Sequence, residues 1–206
     1  MPAPVRIHRF AKSGHSHRVE LFASLIGIDY ELIDVDLANG AHKAEPFLSL
    51  NPAGQVPVLE DGDTVITDSN AILVYLARKY APDWLPASPV MEAQVQRFLS
   101  LAAGEIANGP AAARLITVFG AALDADRCKA VATIALNRLE QHLQNREWLV
   151  GARPSIADVA IYSYTAHAPE GNISLEEYPN VRALLTRIEH LKGFVPMPAT
   201  KAGLAA

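Results

Sequence analysis

Val56-Pro57, at the mouth of the apolar run over residues 56–60, constrains this chain more than any other feature. Proline removes a ladder donor and is normally excluded from the interior of a sheet. In this place it predicts a cis X-Pro peptide, a bend that leaves the N–H and C=O of Val56 outside their own sheet and open to an extended peptide. Asn51-Pro52-Ala53-Gly54-Gln55 leads into the bend, and Asp68-Ser69 follows the strand pair. Asp68-Ser69 opens a helix whose first backbone N–H groups can receive a carboxylate. A backbone clamp beside an anion-ready helix start reads as a site for a small acidic peptide.

The surrounding pattern supplies the frame. Residues 5–10 read as a strand, and residues 16–27 as a helix with Val19, Phe22, Ala23 and Ile26 spaced for one buried face. Residues 30–37 alternate with period two as a second strand. A polar stretch through Asn39-Gly40 leads to a short helix ending near Asn51-Pro52. Residues 56–60 and 64–66 form a hairpin across Asp61-Gly62, and residues 68–80 a helix with Ile72, Leu73, Leu76 and Tyr80 inward. The order β-α-β-α-β-β-α suffices for one layered α/β domain over residues 1–81. Pro82, Pro86 and Pro89 break regular structure and mark residues 82–89 as a linker. Residues 90–206 read as helical. A long helix over residues 91–119 bends at Gly109-Pro110, and residues 126–144 are amphipathic through Val131, Ala135, Leu139 and Leu143. Two more helices cover residues 155–168 and 180–191, the first opened by the capping box Ser155-x-x-Asp158.

Composition narrows the function classes. A net charge of −4 argues against nucleic acid as the principal partner. No stretch reaches the roughly 18 consecutive apolar residues of a membrane span. The start lacks the basic-then-apolar layout of a secretory signal, and the expected address is the cytoplasm. The single cysteine, Cys128, allows no internal disulfide and no CxxC motif; its spacing with Val131, Ala135 and Leu139 makes it a small buried hydrophobe. The histidines are scattered, with no His-x-x-x-His pair, so no metal site is expected. His15 and His17 flank the first turn and read as exposed residues, with tuning of the local charge by one of them as the alternative.

Taken together, Ser13-Gly-His-Ser-His-Arg-Val19, His42, Phe47-Leu48, Asn51-Pro52, Val56-Pro57, Asp68-Ser69 and Ser155-Ile-Ala-Asp158 resemble, in this order and spacing, the cytosolic glutathione transferase superfamily. The likeness covers essentially the whole chain and is nearest to bacterial members and to the serine-type delta and theta classes. It implies a two-domain fold, α+β followed by all-α: a thioredoxin-like N-terminal domain and an all-helical C-terminal domain.

The resemblance also implies roles. Glutathione attacks electrophiles as its thiolate, yet a free thiol near neutral pH is mostly protonated. In serine-type members a hydroxyl just after the first strand donates a hydrogen bond to the sulfur. That position corresponds to Ser13, with Ser16 as the alternate donor and, by position, the better helix cap. A hydroxyl donor and a helix start both favour the anion. Val56 and Pro57 match the clamp that pairs with the cysteinyl part of glutathione. Asp68-Ser69 stands where the family has Glu-Ser or Gln-Ser, facing the γ-glutamyl group, with Asn70 beside it. His42, Lys43 and Gln55 match the glycyl end, and Gly54 stands where some relatives carry a histidine. The electrophile is expected against Phe10, Glu105, Ile106, Asn108 and Arg114. With no cysteine after the first strand, a mixed disulfide with glutathione is not expected. The resemblance implies a homodimeric transferase that conjugates glutathione, its co-substrate, to a hydrophobic electrophile in detoxification. A glutathione-dependent disulfide reductase or peroxidase, and a non-catalytic glutathione-binding module, stay open as alternatives.

Overall fold

Alternation along β1 (Val5–Arg9) sets the layering of the first part of the chain. The computed structural model describes residues 3–206, which divide into a first unit running to Pro82 and rejoined by Lys192–Pro198, and a second of Asp83–Leu191 with Ala199–Ala206. In the first unit β2 (Tyr30–Asp34) runs parallel to β1, with Val5 opposite Tyr30. On the other side β3 (Val58–Asp61) is antiparallel, with His8 opposite Val58, and β4 (Thr64–Thr67) completes the order β2-β1-β3-β4. Successive strand side chains point to opposite faces. Ile7 and its partner Leu59, both fully buried, therefore share one face. His8 and Val58 share the other, where α2 (Phe47–Leu50) sets the Phe47 ring edge-on to His8 and packs it against Val35 and Val58.

Helices α1 (Gly14–Leu25) and α3 (Ser69–Tyr80) pack on each other, α1 also on β1 and α3 on β4. Val19, Phe22 and Ala23 are buried as their spacing predicts, while Ile26 is only half-buried because the helix ends there. On α3 the buried set is Ile72, Leu73, Leu76 and Ala77. Tyr80, expected inward, is 38% exposed, because its hydroxyl donates to Asp61 Oδ2 at 2.6 Å. That carboxylate also takes Tyr75 and Lys79, and a tyrosine whose polar tip finds such a partner stays at the surface. The second strand stops at Asp34, short of the predicted Leu37, because Asp36 turns the chain by accepting from the Asn39 backbone and side chain. The hairpin loop is Gly62-Asp63, one residue later than expected, with Gly62 at φ 59 in its first central position.

The second unit is helical. Pro89, expected to break structure, is the first residue of α4 (Pro89–Leu101), where its missing N–H costs nothing, and Pro82–Trp84 form a 3-10 turn. The predicted bent helix is α4, a π-helical run over Ala102–Ala111, and α5 (Ala112–Phe119). The wider turn accommodates Pro110, which has no N–H to give. Gly109 meets α6 (Ala125–His142) so closely that a Cβ would stand 2.7 Å from the Ala132 nitrogen. The buried stripe of α6 is Cys128, Ala132, Ala135, Leu136 and Leu139, rotated slightly from the predicted one, with Val131 half-buried. Cys128 lies within that stripe, as its spacing indicates. Helix α7 (Ile156–Ala166) is buried almost all round behind its capping box, and α8 (Pro179–Glu189) again starts on proline. Among the described residues no helix is long and apolar enough to cross a membrane.

Candidate functional site

Where β1 gives way to α1, Ser13 is the residue with extended backbone that caps the helix, its Oγ accepting from the Ser16 N–H at 3.3 Å. A hydroxyl that accepts here keeps its proton for another partner. Ser16, by position the expected cap, is instead fully buried inside α1, where its Oγ accepts from the Phe10 N–H at 3.2 Å and ties the end of β1 to the helix. Of the two serines, Ser13 lines a cavity of about 540 Å³.

The opposite wall is the loop before β3. The Val56-Pro57 peptide is cis, and β3 joins the β1 ladder only at Val58, so Val56 stands outside the ladder beside the cavity. Asn51 shapes the approach: its Nδ2 donates to the Gln55 carbonyl at 2.8 Å and its Oδ1 accepts from the Ala53 N–H at 3.1 Å. Gly54 sits at φ 59, where a Cβ would stand 2.6 Å from the His42 carbonyl oxygen and 2.8 Å from Lys43 Nζ. A histidine at this position would not fit this backbone. Lys43 closes the wall by donating to the Ala53 carbonyl at 3.1 Å. His42 lines it too, with a buried Nδ1 that has no hydrogen-bond partner among the described residues. Gln55 and Pro57 complete this side.

The third side is the start of α3. Asp68 caps it at φ 69, a conformation that costs a non-glycine residue about 1–3 kcal/mol. Two bonds to Oδ1 offset the cost, from the Asn70 and Ala71 N–H groups, both at 2.9 Å. Ser69 is buried, and its Oγ accepts from Arg18 Nη1 at 2.9 Å and lies 3.4 Å from His15 Nδ1. Asn70, expected to face a ligand, turns its Oδ1 to the same Arg18 nitrogen at 2.7 Å and does not line the cavity.

Two histidine expectations are overturned. His15 lines the cavity, and burial, reinforced by the Arg18 charge and opposed by Asp68, pushes its imidazole down to about 4. His17 is buried, its Nε2 2.8 Å from the Val195 carbonyl oxygen, because α1 is enclosed on most of its circumference. Arg18, 1% exposed, was not singled out as a site residue. The available signal was a charge immediately before the core residue Val19, which burial permits only with polar partners. Leu37, Asn51 and Thr67 also line the cavity without having been foreseen as site residues.

The residues expected around an electrophile have varied surroundings. Glu105 pairs with Arg138 and lines a separate space of about 620 Å³ with Arg97, Phe98 and His142. Ile106 is core, and the exposed Asn108 donates to the Gly104 carbonyl at 2.8 Å. Arg114 is buried, donating from Nε to Glu170 Oε2 at 2.6 Å, and Glu170 also meets His167 Nδ1 at 2.7 Å. Phe10 belongs to the first unit, at the end of β1. Chemically, the 540 Å³ cavity offers a hydroxyl proton at one helix start, backbone beside a cis proline, a second helix start bearing a serine, and a lysine. That set has the groups to receive a short anionic peptide and to favour negative charge near Ser13.

Residues 4–78 match the family model described as glutathione S-transferase, N-terminal domain, and residues 120–192 the one described as glutathione S-transferase, C-terminal domain. Human glutathione S-transferase theta-2 is 33% identical over 189 residues, covering 86% of this chain and 78% of its own length. The crystal structure of a glutathione S-transferase from Pseudomonas fluorescens Pf-5 is similar with a TM-score of 0.90 at 32% identity, over 96% of this chain and 100% of its own. A glutathione transferase homolog from Drosophila mojavensis, solved with bound glutathione, has a TM-score of 0.83 at 26% identity, over 91% of this chain and 88% of its own.

Proposed function

This chain belongs to the cytosolic glutathione S-transferase superfamily, and from that premise we propose that it conjugates the glutathione thiolate to a hydrophobic electrophile, with Ser13 as the donor to the sulfur. The observation that carries the reading is the convergence of Ser13, Val56 beside the cis proline, and Ser69 on one cavity. Glutathione is a peptide with a thiol in its middle and a carboxylate at each end. Its cysteinyl backbone pairs with Val56, its γ-glutamyl carboxylate meets the start of α3, and its glycyl carboxylate reaches the side of His42 and Lys43. The thiol then lies at Ser13. There the hydroxyl proton, left over after the capping bond, and the positive start of α1 favour the thiolate. In a displacement the thiol proton leaves to solvent, the C–S bond forms, and the leaving group departs with its electron pair. Cys128, the chain's single cysteine, lies buried in α6, which supports a serine-based site without a protein–glutathione disulfide.

Ser13→Gly tests this most cleanly, because glycine caps a helix nearly as well as serine but has no hydroxyl. With an aryl halide as electrophile, kcat/KM is expected to fall about a hundredfold while the glutathione KM changes little. Ultraviolet titration of bound glutathione should show the thiol pKa rising in the variant. Unchanged conjugation in Ser13→Gly, or no binding of millimolar glutathione by the unaltered protein, would sink the proposal.

A further inference from the structure

The catalytic reading leaves the buried guanidinium of Arg18 without a task. Its Nη1 donates to Ser69 Oγ at 2.9 Å and to Asn70 Oδ1 at 2.7 Å, so one arginine nitrogen holds both the first and second residues of α3. A serine oxygen that accepts from a charged donor still has its own proton to place, and the direction left for it is fixed by that donor. The other polar group beside it is His15 Nδ1 at 3.4 Å, too far for a good hydrogen bond. Ser69 and His15 both line the cavity, so a carboxylate arriving there offers the Ser69 proton a better partner. Two charges act on His15: Arg18 on its own helix and Asp68 at the start of α3.

We propose that Arg18 is a positioning residue for co-substrate recognition: it aims the Ser69 hydroxyl into the cavity as a carboxylate donor, with the His15 ring as the resting neighbour that the carboxylate replaces. The proposal rests on the glutathione reading, in which that carboxylate is the γ-glutamyl one. It assigns the charge of Arg18 and its Nη1 hydrogens separable tasks. The Nη1 hydrogens fix Ser69, and the charge draws the anion in and adds to burial in keeping His15 neutral.

The test combines Arg18→Lys, Ser69→Ala and the double variant. Arg18→Lys and Ser69→Ala should each raise the glutathione KM about tenfold with kcat within about twofold, the loss of one charge-assisted hydrogen bond. The double variant should be no worse than Ser69→Ala, since both changes act through one hydroxyl. By NMR the His15 imidazole should titrate near 4 in the unaltered protein, stay low in Arg18→Lys, and move up in Arg18→Met. A reading independent of any variant's folding comes from the Arg18 Nη–H resonances of the unaltered protein. They should shift on binding glutathione but not on binding cysteinylglycine, which lacks the γ-glutamyl group. An unchanged KM in folded Arg18→Lys, multiplicative effects in the double variant, or equal shifts with both peptides overturns the proposal alone. Failure of the unaltered protein to bind glutathione overturns the ligand reading, and the proposal with it.

Discussion

Burial, together with the Arg18 charge, moves His15 from 6.5 down to about 4, so at pH 7 the imidazole is neutral. Between those two values the unfolded chain binds a proton that the folded chain does not. The stability linked to His15 is therefore full above about pH 6.5 and is lost as pH falls toward 4. Asp158 works with the opposite sign: burial raises its carboxyl from 3.8 to about 6, so its contribution is full below 3.8 and lost as pH rises toward 6. The net slope of a stability curve thus mixes the two, and a variant separates them. His15→Gln should flatten the acid limb of the stability–pH curve measured by urea unfolding; a limb of unchanged steepness contradicts the assignment. Val56 could be read in the sequence because the proline after it announces a bend, and Ser69 because it follows a helix cap at Asp68, whereas Ser13 came from the resemblance, with Ser16 the cap that position favoured. Arg18 and His15 could not, because their partner Ser69 lies on another helix and only the folded chain brings it near.

Among the elements, α7 shows what local signals capture. Its capping box is readable as Ser155-x-x-Asp158, and the structure adds a bond that no spacing rule includes: Asp158 Oδ1 accepts from the Leu149 N–H at 2.9 Å. Asp158 thereby fastens the loop before the helix as well as the helix start, with Oδ2 accepting from the Ser155 N–H at 2.8 Å. Ser155→Ala removes a cap and should cost about 1 kcal/mol. Asp158→Ala leaves two buried N–H groups without an acceptor, each worth about 1–3 kcal/mol, and should cost at least about 1 kcal/mol more than Ser155→Ala. Calorimetry of both variants decides it, and equal losses would mean that Asp158 does no more than cap. The π-helical run is the converse case. The sequence announces a bend through Gly109-Pro110, but the close approach of Ala132 of α6 to Gly109 has no local signature.

At the scale of the whole molecule, element order and proline spacing made the α/β part and the helical part legible, because hydrophobic periodicity changes between them. The return of Lys192–Pro198 to the first unit was not legible. Its prolines announce only that helix has ended, while what holds it is made across the length of the chain. Ser24 Oγ donates to the Gly193 carbonyl at 2.6 Å, and the Val195 carbonyl oxygen lies 2.8 Å from His17 Nε2. Both anchors sit on α1, the helix that Ser13 caps, so the segment braces the element carrying the proposed sulfur donor. Gly193 is the point where this attachment is most exacting: at φ 89, a Cβ would stand 2.6 Å from the Ser24 carbonyl oxygen. Gly193→Ala meets a backbone carbonyl, which cannot swing away, in a conformation that alanine resists, and should destabilise the first unit by more than about 1 kcal/mol. Detachment of the segment also takes the Val195 carbonyl away from the buried His17, a further cost borne by α1. Amide hydrogen exchange separates this from a general loosening. In Gly193→Ala, α1 should exchange faster while α7, in the second unit, keeps its protection. Uniform acceleration in both helices, or none in α1, would show that the returning segment does not brace the site.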